Sequence, residues 1–244
     1  MKKFFMFICT LVFTFVLVGC NQKVVDPENY TIDKEIEIKE ELSLEQAQAK
    51  FDEVDDESDD AKYLTMDIKM VVEGINIDMK MILVHENNVL NGSITTKSSY
   101  GSMSQTVEMY VKDNYILMDL GLVGGKKKVE IPAGEEIEAD DLGAYDINEM
   151  IEEFFKEADK QSENFKAGYD ANGCLVLDYN ETNMKARFVF DKNYPVYFYA
   201  AEGSSTKMEF KFTYTKTEVK FPESLNLDDY QTISWDEYNG GIIM

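Results

Sequence analysis

Histidine is almost missing from the 244-residue sequence: His85 is the only one. That scarcity removes most familiar hydrolytic chemistry. A Ser-His-Asp arrangement would have to use His85, and an H-E-x-x-H zinc site needs two histidines. The G-x-S-x-G turn that exposes a nucleophilic serine is also absent. His85 stands in "HENN" and reads as a solvated turn residue. Basic residues are short as well, with 24 Lys and Arg against 47 Asp and Glu, a formal charge of −23. Nucleic acid is excluded as a partner, because phosphates require basic patches. Electrostatic docking on anionic lipid is excluded on the same ground. "GLVGGKKK" lacks the G-x-x-x-x-G-K-[ST] order of a phosphate loop and reads as a hairpin turn before an outward basic strand face. The acids are too evenly abundant for any pair to stand out as a glycosidase site. Their densest run, "DEVDDESDD", has neither ligand spacing nor the glycine of a calcium loop and reads as the solvated end of a helix. The expectation is a protein that is not an enzyme and has no cofactor and no metal.

Cysteine occurs three times, at Cys9, Cys20 and Cys174. The first two belong to the one long apolar run. Lys2 and Lys3 precede it, and the 16 residues from Phe4 to Gly19 carry no charge. A spanning helix needs about 20 apolar residues. A shorter oily core behind lysines, ending in small residues, reads as an export signal. Its end, "LVGC", resembles the lipobox of bacterial lipoproteins. The resemblance implies that the Cys20 sulfur carries a diacylglyceryl group, that residues 1–19 are removed, and that Cys20 becomes the first mature residue. One acyl chain holds a protein only marginally whereas two anchor it stably, so a diacylglyceryl Cys20 would need no other membrane contact. Removing residues 1–19 takes away Lys2 and Lys3 and no acid, leaving 22 basic against 47 acidic side chains, a balance of −25. Such charge suits a body dissolved in an extracytoplasmic medium. Cys174 then has no internal disulfide partner and reads as a small buried residue on a strand.

Residues 20–42 are polar and acidic without a clear period and read as a flexible tether, in which "TIDKEIEIK" is at most a short strand. A helix is expected next: Ser43 and Gln46 form a capping box, and Leu44, Ala47, Phe51 and Val54 share a face. From Lys62 the period becomes two. In "YLTMDIKMVV", Leu64, Met66, Ile68, Met70 and Val72 point one way, and Thr65, Asp67 and Lys69 the other. "INIDMKMIL", "VLNGSITTKS", "TVEMYV", "YILMDL" and "KKKVEI" continue as hairpins with one wet and one buried face. A second helix over 147–159, capped by Asp146, carries Ile147, Met150, Ile151, Phe154, Phe155 and Ala158 in an apolar stripe. Strands then resume in "FKAGY", "CLVLDY", "MKARFVF", "YPVYFYA" and "KMEFKFTYTKTEV". Residues 232–244 read as a loosely held tail, from which Trp235 packs back onto the domain.

About eleven strands and two helices result, an α+β protein of mainly antiparallel β structure. Eleven strands about 4.8 Å apart span roughly 48 Å if flat, and two helices about 10 Å across cover about 20 Å of that. The expected solution is a curved half-barrel with two helices on its concave face and an apolar interior. Met66, Met70, Met79, Met81, Met109 and Met118 fall on the inward positions, with Met150 and Phe154 on the second helix. Methionine is flexible and over-used where a surface adapts to varied apolar partners. These side chains are either core filler or the lining of a cavity for acyl chains.

Residues 43–231 are similar in element order to the LolA/LppX-type lipoprotein superfamily: short helix, long alternating hairpins, central helix, more hairpins. "YVKDNYILMD" before "GKKKVEI" and the closing "KFPESLNLDDY" carry the likeness, along with the lipobox and acidic tether. The resemblance implies an eleven-stranded half-barrel holding a hydrophobic or lipid-like ligand beneath helices, without chemistry, on an extracytoplasmic lipoprotein attached to the cell membrane through acylated Cys20. The alternative is an envelope scaffold with a filled core and a protein partner, for which "YPVYFYA" at 194–200 is the candidate exposed patch.

Overall fold

Strict apolar–polar alternation forces each strand to bury one face, and hairpin turns of two to four residues stack those faces on one side. A computed structural model of the chain describes residues 25–54, 62–86, 89–132, 154–156, 162–192, 194–223 and 225–239. It contains β1 (Ile38–Leu42), α1 (Leu44–Val54), β2 (Tyr63–Val72), β3 (Ile75–Glu86), β4 (Val89–Tyr100), β5 (Met103–Lys112), β6 (Tyr115–Asp119), the single turn α2 (Gly121–Gly124), β7 (Lys126–Glu130), β8 (Phe165–Asp170), β9 (Leu175–Asn180), β10 (Met184–Asp191), β11 (Tyr194–Glu202), β12 (Thr206–Thr213), β13 (Gln231–Ile233) and α3 (Trp235–Asn239). All thirteen strands form one open sheet in the order β1-β8-β9-β10-β11-β12-β2-β3-β4-β5-β6-β7-β13. Every pairing is antiparallel except β7 with β13. The architecture is α+β and mainly antiparallel, with thirteen strands in place of the eleven expected.

The two additional strands revise both proposed domain boundaries. Residues 25–42 are not a free tether: β1 pairs with β8 from Ile38 opposite Asp170 to Leu42 opposite Ala167, and Tyr30 is buried. Of the expected tail 232–244, the described residues 232–239 are not loose either. Ile233 pairs with Val129, and Trp235 and Tyr238 of α3 settle on Ile116, Met118 and Val129. The last long run, "KMEFKFTYTKTEV", ends as a strand at Thr213. His85 lies within β3, opposite Leu90, and not in a turn.

The capping box at Ser43 forms as expected. The Ser43 N–H donates to Gln46 Oε1 at 2.9 Å, and the Gln46 N–H to Ser43 Oγ at 3.2 Å. Ala47 and Phe51 are buried in the main core. Of the expected helix over 147–159, residues 154–156 are helical, with Phe154 and Phe155 in the same core; the rest, Met150 included, lies outside the described residues. Cys20 and the signal segment also lie outside them.

The sheet has a core face and a back face. Two chain segments cover opposite ends of the back face. Residues 25–37 lie over Cys174, Val176, Val189, Val196 and Tyr197. Phe221, Leu225 and Tyr230 lie over Tyr110 and Leu117. Between them the back face is a ladder of opposite charges, Glu209–Lys69–Asp78–Lys97 and Lys211–Asp67–Lys80, directly across neighbouring strands. Exposed pairs such as Lys80–Asp67 at 3.4 Å add little stability, but a one-residue slip would set like charges and apolar groups on the wrong faces.

A candidate apolar site on the core face

Register places the methionines in rows that run across the sheet. One row reads Phe212, Met66, Met81, Ile94, Met109, Met118, Lys127 and Gln231. The next reads Leu42, Ala167, Leu177, Phe188, Phe198, Phe210, Ile68, Met79, Thr96 and Val107. A third ends Met208, Met70, Ile77, Ser98 and Gln105. All the expected lining residues among the described ones therefore share the core face, but not one environment.

Met66, Met70, Met81 and Phe154 are fully buried in the main core, and Met79 and Met109 pack against it half-buried. Met118 is buried in a neighbouring cluster with Ile116 and Val129, which Met109 links to the main core and which Trp235 and Tyr238 roof. The signal for that roof was in the sequence. "SWDE" is a second capping box, in which the Ser234 N–H donates to Glu237 Oε2 at 2.8 Å and the Glu237 N–H to Ser234 Oγ at 3.1 Å. The Ser234 backbone and hydroxyl hold the Glu237 carboxyl below its ordinary range.

The two halves of the core face differ. On β8–β12 the filling is aromatic and tight. Phe188 meets Phe198 edge-on at 4.6 Å and Phe154 at 4.8 Å, and Phe51 of α1 meets Phe190 at 4.9 Å and Phe155 at 5.5 Å, all within the favourable range for ring pairs. On β3–β5 the face opens. Ile77, Met79, Thr96, Ser98, Val107 and Met109 are half-buried. Ile75, Tyr100 and Met103, on the same face at the hairpin tips, are 41%, 57% and 68% exposed. The described elements seated on the core face are α1 with Phe154 and Phe155 on the aromatic side, and α3 beside β7. The open rows lie between them.

The back face holds a network that the sequence reading missed. Arg187, buried on β10, forms an ion pair with Asp178 at 2.7 Å and donates to the carbonyls of Thr31 and Lys34 at 2.8 Å and of Tyr30 at 3.3 Å. Tyr30 donates to Asp170 Oδ2 at 2.7 Å. Tyr197 donates to Glu209 at 3.0 Å and accepts the Ile32 N–H at 3.1 Å. Burial first, then Cys174 and Asp170, pushes the Tyr30 phenol far above its ordinary value, and burial with the Glu209 charge does the same to Tyr197. Arg187 is the only arginine in the chain, which was the available signal: a planar five-donor fork suits several carbonyls at once, where lysine does not. Cys174 is fully buried immediately before β9. The patch expected at "YPVYFYA" is not exposed: Phe198 faces the core, and Val196 and Tyr197 lie under residues 25–37.

Compared with known proteins, the chain matches no family model and no curated protein.

Proposed function

We propose that this protein is a membrane-tethered extracytoplasmic lipoprotein that holds a hydrophobic, lipid-like molecule against the core face of a half-barrel and performs no chemistry. Thirteen strands exceed the number that a strongly twisted sheet carries without curling, which favours a curved frame with α1 and the helix of residues 154–156 on its concave side. The observation that carries the reading is the break in cover on β3–β5 among the described residues. Apolar Ile75 and Met103 stand exposed there, with Ile77 and Met79 half-buried beside them, between a ring-packed half on one side and α3 on the other. Exposed contiguous apolar surface on a highly charged protein marks a binding place, and methionine at its floor suits a ligand of variable shape. Cys20 supplies the tether.

The ring-to-ring filling of β8–β12 favours a second reading, a scaffold lipoprotein with a solid core and an envelope protein as its partner. Organic extraction of the full chain purified from its membrane, followed by mass spectrometry, separates the two. The carrier reading expects a near-stoichiometric apolar compound and uptake of an acyl-chain dye; recovery of no such compound together with no uptake leaves only the scaffold.

A further inference from the structure

We propose that the ligand of the open rows is an uncharged acyl amphiphile, whose head group carries hydroxyl and ester groups and no ionised group. The proposal deepens the reading of the core face as a lipid site and rests on it. The core-face positions of β2–β6 carry no Asp, Glu, Lys or Arg; their polar members are Thr96, Ser98 and Gln105, with His85 at the far end. Polarity is banded along the strands. The row of Met81, Ile94 and Met109 is wholly apolar, the next admits Thr96, the one beyond it admits Ser98 and Gln105, and the tip row of Ile75, Tyr100 and Met103 carries large apolar side chains again. From Met79 to Ile75 the open patch runs four residue steps along β3, about 13 Å, and about 10 Å across β3–β5. An acyl tail would lie over the half-buried Met79, Val107 and Met109, with its head between Thr96, Ser98 and Gln105.

These side chains donate and accept hydrogen bonds but neutralise no charge. An ionised head seated there would lose water without gaining a counter-ion, which is strongly unfavourable. The nearest cation on the core face of the β2–β7 strands is Lys127, which donates to Gln231 Oε1 and has Glu237 in its field. Between β7 and β8 the only lysines are Lys156, beside Phe154 and Phe155 of the aromatic side, and Lys160; residues 133–153 contain no lysine or arginine. The formal charge of −23 further repels an anion on approach.

The test compares a 1-monoacylglycerol with the lysophosphatidic acid of the same acyl chain, which differs by one phosphate. Each is titrated into the full chain against a bound acyl dye. The expected result is at least about tenfold tighter binding of the monoacylglycerol, the size expected of one unpaired charge against satisfied neutral hydrogen bonds. In the double variant Thr96→Val, Ser98→Ala, the monoacylglycerol should weaken about tenfold while the dye holds; Gln105→Leu is the independent second variant. Equal or tighter binding of the phosphate overturns the neutral head group. Variants that leave monoacylglycerol affinity unchanged overturn its seat. Binding of neither probe, with no dye uptake, overturns the lipid site itself and the proposal with it.

Discussion

At the scale of single residues, the back-face network places unusual weight on one side chain. Arg187 ties β10 to residues 30–34 through three carbonyls and to Asp178 through an ion pair. Removing a buried charge from such a set leaves its acceptors unpaired. Arg187→Ala should cost about 2–4 kcal/mol, read as a lower urea midpoint, and should open Lys34 to trypsin before the rest of the body is cut. Arg187→Lys should recover little of this, since one ammonium cannot span the same acceptors. The tyrosines add a pH dependence of definite sign. Burial and the Glu108 charge push Tyr110 up to about 12, and Tyr30 and Tyr197 are raised further. A phenol kept neutral in the fold gives its full stabilisation below the unfolded value of about 10. That contribution is lost as pH climbs through the folded value, because the unfolded chain sheds the proton first. The urea midpoint should therefore stay level up to about pH 10 and fall between about pH 10 and 12, with a shallower fall in Tyr110→Phe. Phenolate absorbance that rose fully while the fold persisted would contradict it.

At the scale of elements, all eleven alternating runs became strands, because alternation records which side of a sheet is wet. The two missed strands lack that record. β1, "IKEEL", turns only its end residues inward and carries a bulge between Ile38 and Glu40. β13 is three residues long and owes its place to the parallel pairing with β7. Nothing in their local spacing distinguishes them from loop. The site was half legible for a related reason. Inward positions could be read from period two, but which of them are roofed depends on α1, α3 and the residues around Phe154, elements brought over the face from distant parts of the chain. Met118 is on the core face as read, opposite Met109, but its roof is α3 and not α1. The attachment of β1 also turns on one atom's space. A Cβ on Gly168 would stand 2.0 Å from the Glu40 carbonyl oxygen and 2.4 Å from Ile38 Cγ2. Gly168→Ala should push β1 off the sheet edge at a cost of about 1–3 kcal/mol. Hydrogen exchange should quicken at the amides of 38–42 and stay slow in β2–β4; unchanged exchange in β1 would show that the edge has room the geometry denies.

For the whole molecule, the decisive contrast is between the two halves of one continuous core face. Phe188 is enclosed by Phe154, Phe198 and its neighbours, so Phe188→Ala leaves a cavity that rigid neighbours fill poorly and should cost about 3–5 kcal/mol. Met79 sits half-buried at the floor of the open rows, so Met79→Ala should cost only about 1 kcal/mol. If the face serves as a lipid seat, these two changes should dissociate. Phe188→Ala would lower the unfolding midpoint and leave acyl-dye uptake per folded molecule nearly intact, while Met79→Ala would leave the midpoint close to the parent and weaken uptake. A filled-core scaffold expects the stability difference alone, with no uptake for Met79→Ala to change. Measuring both variants by urea unfolding and dye titration in the same buffer places the aromatic half as framework and the methionine half as the working surface, or denies the division altogether.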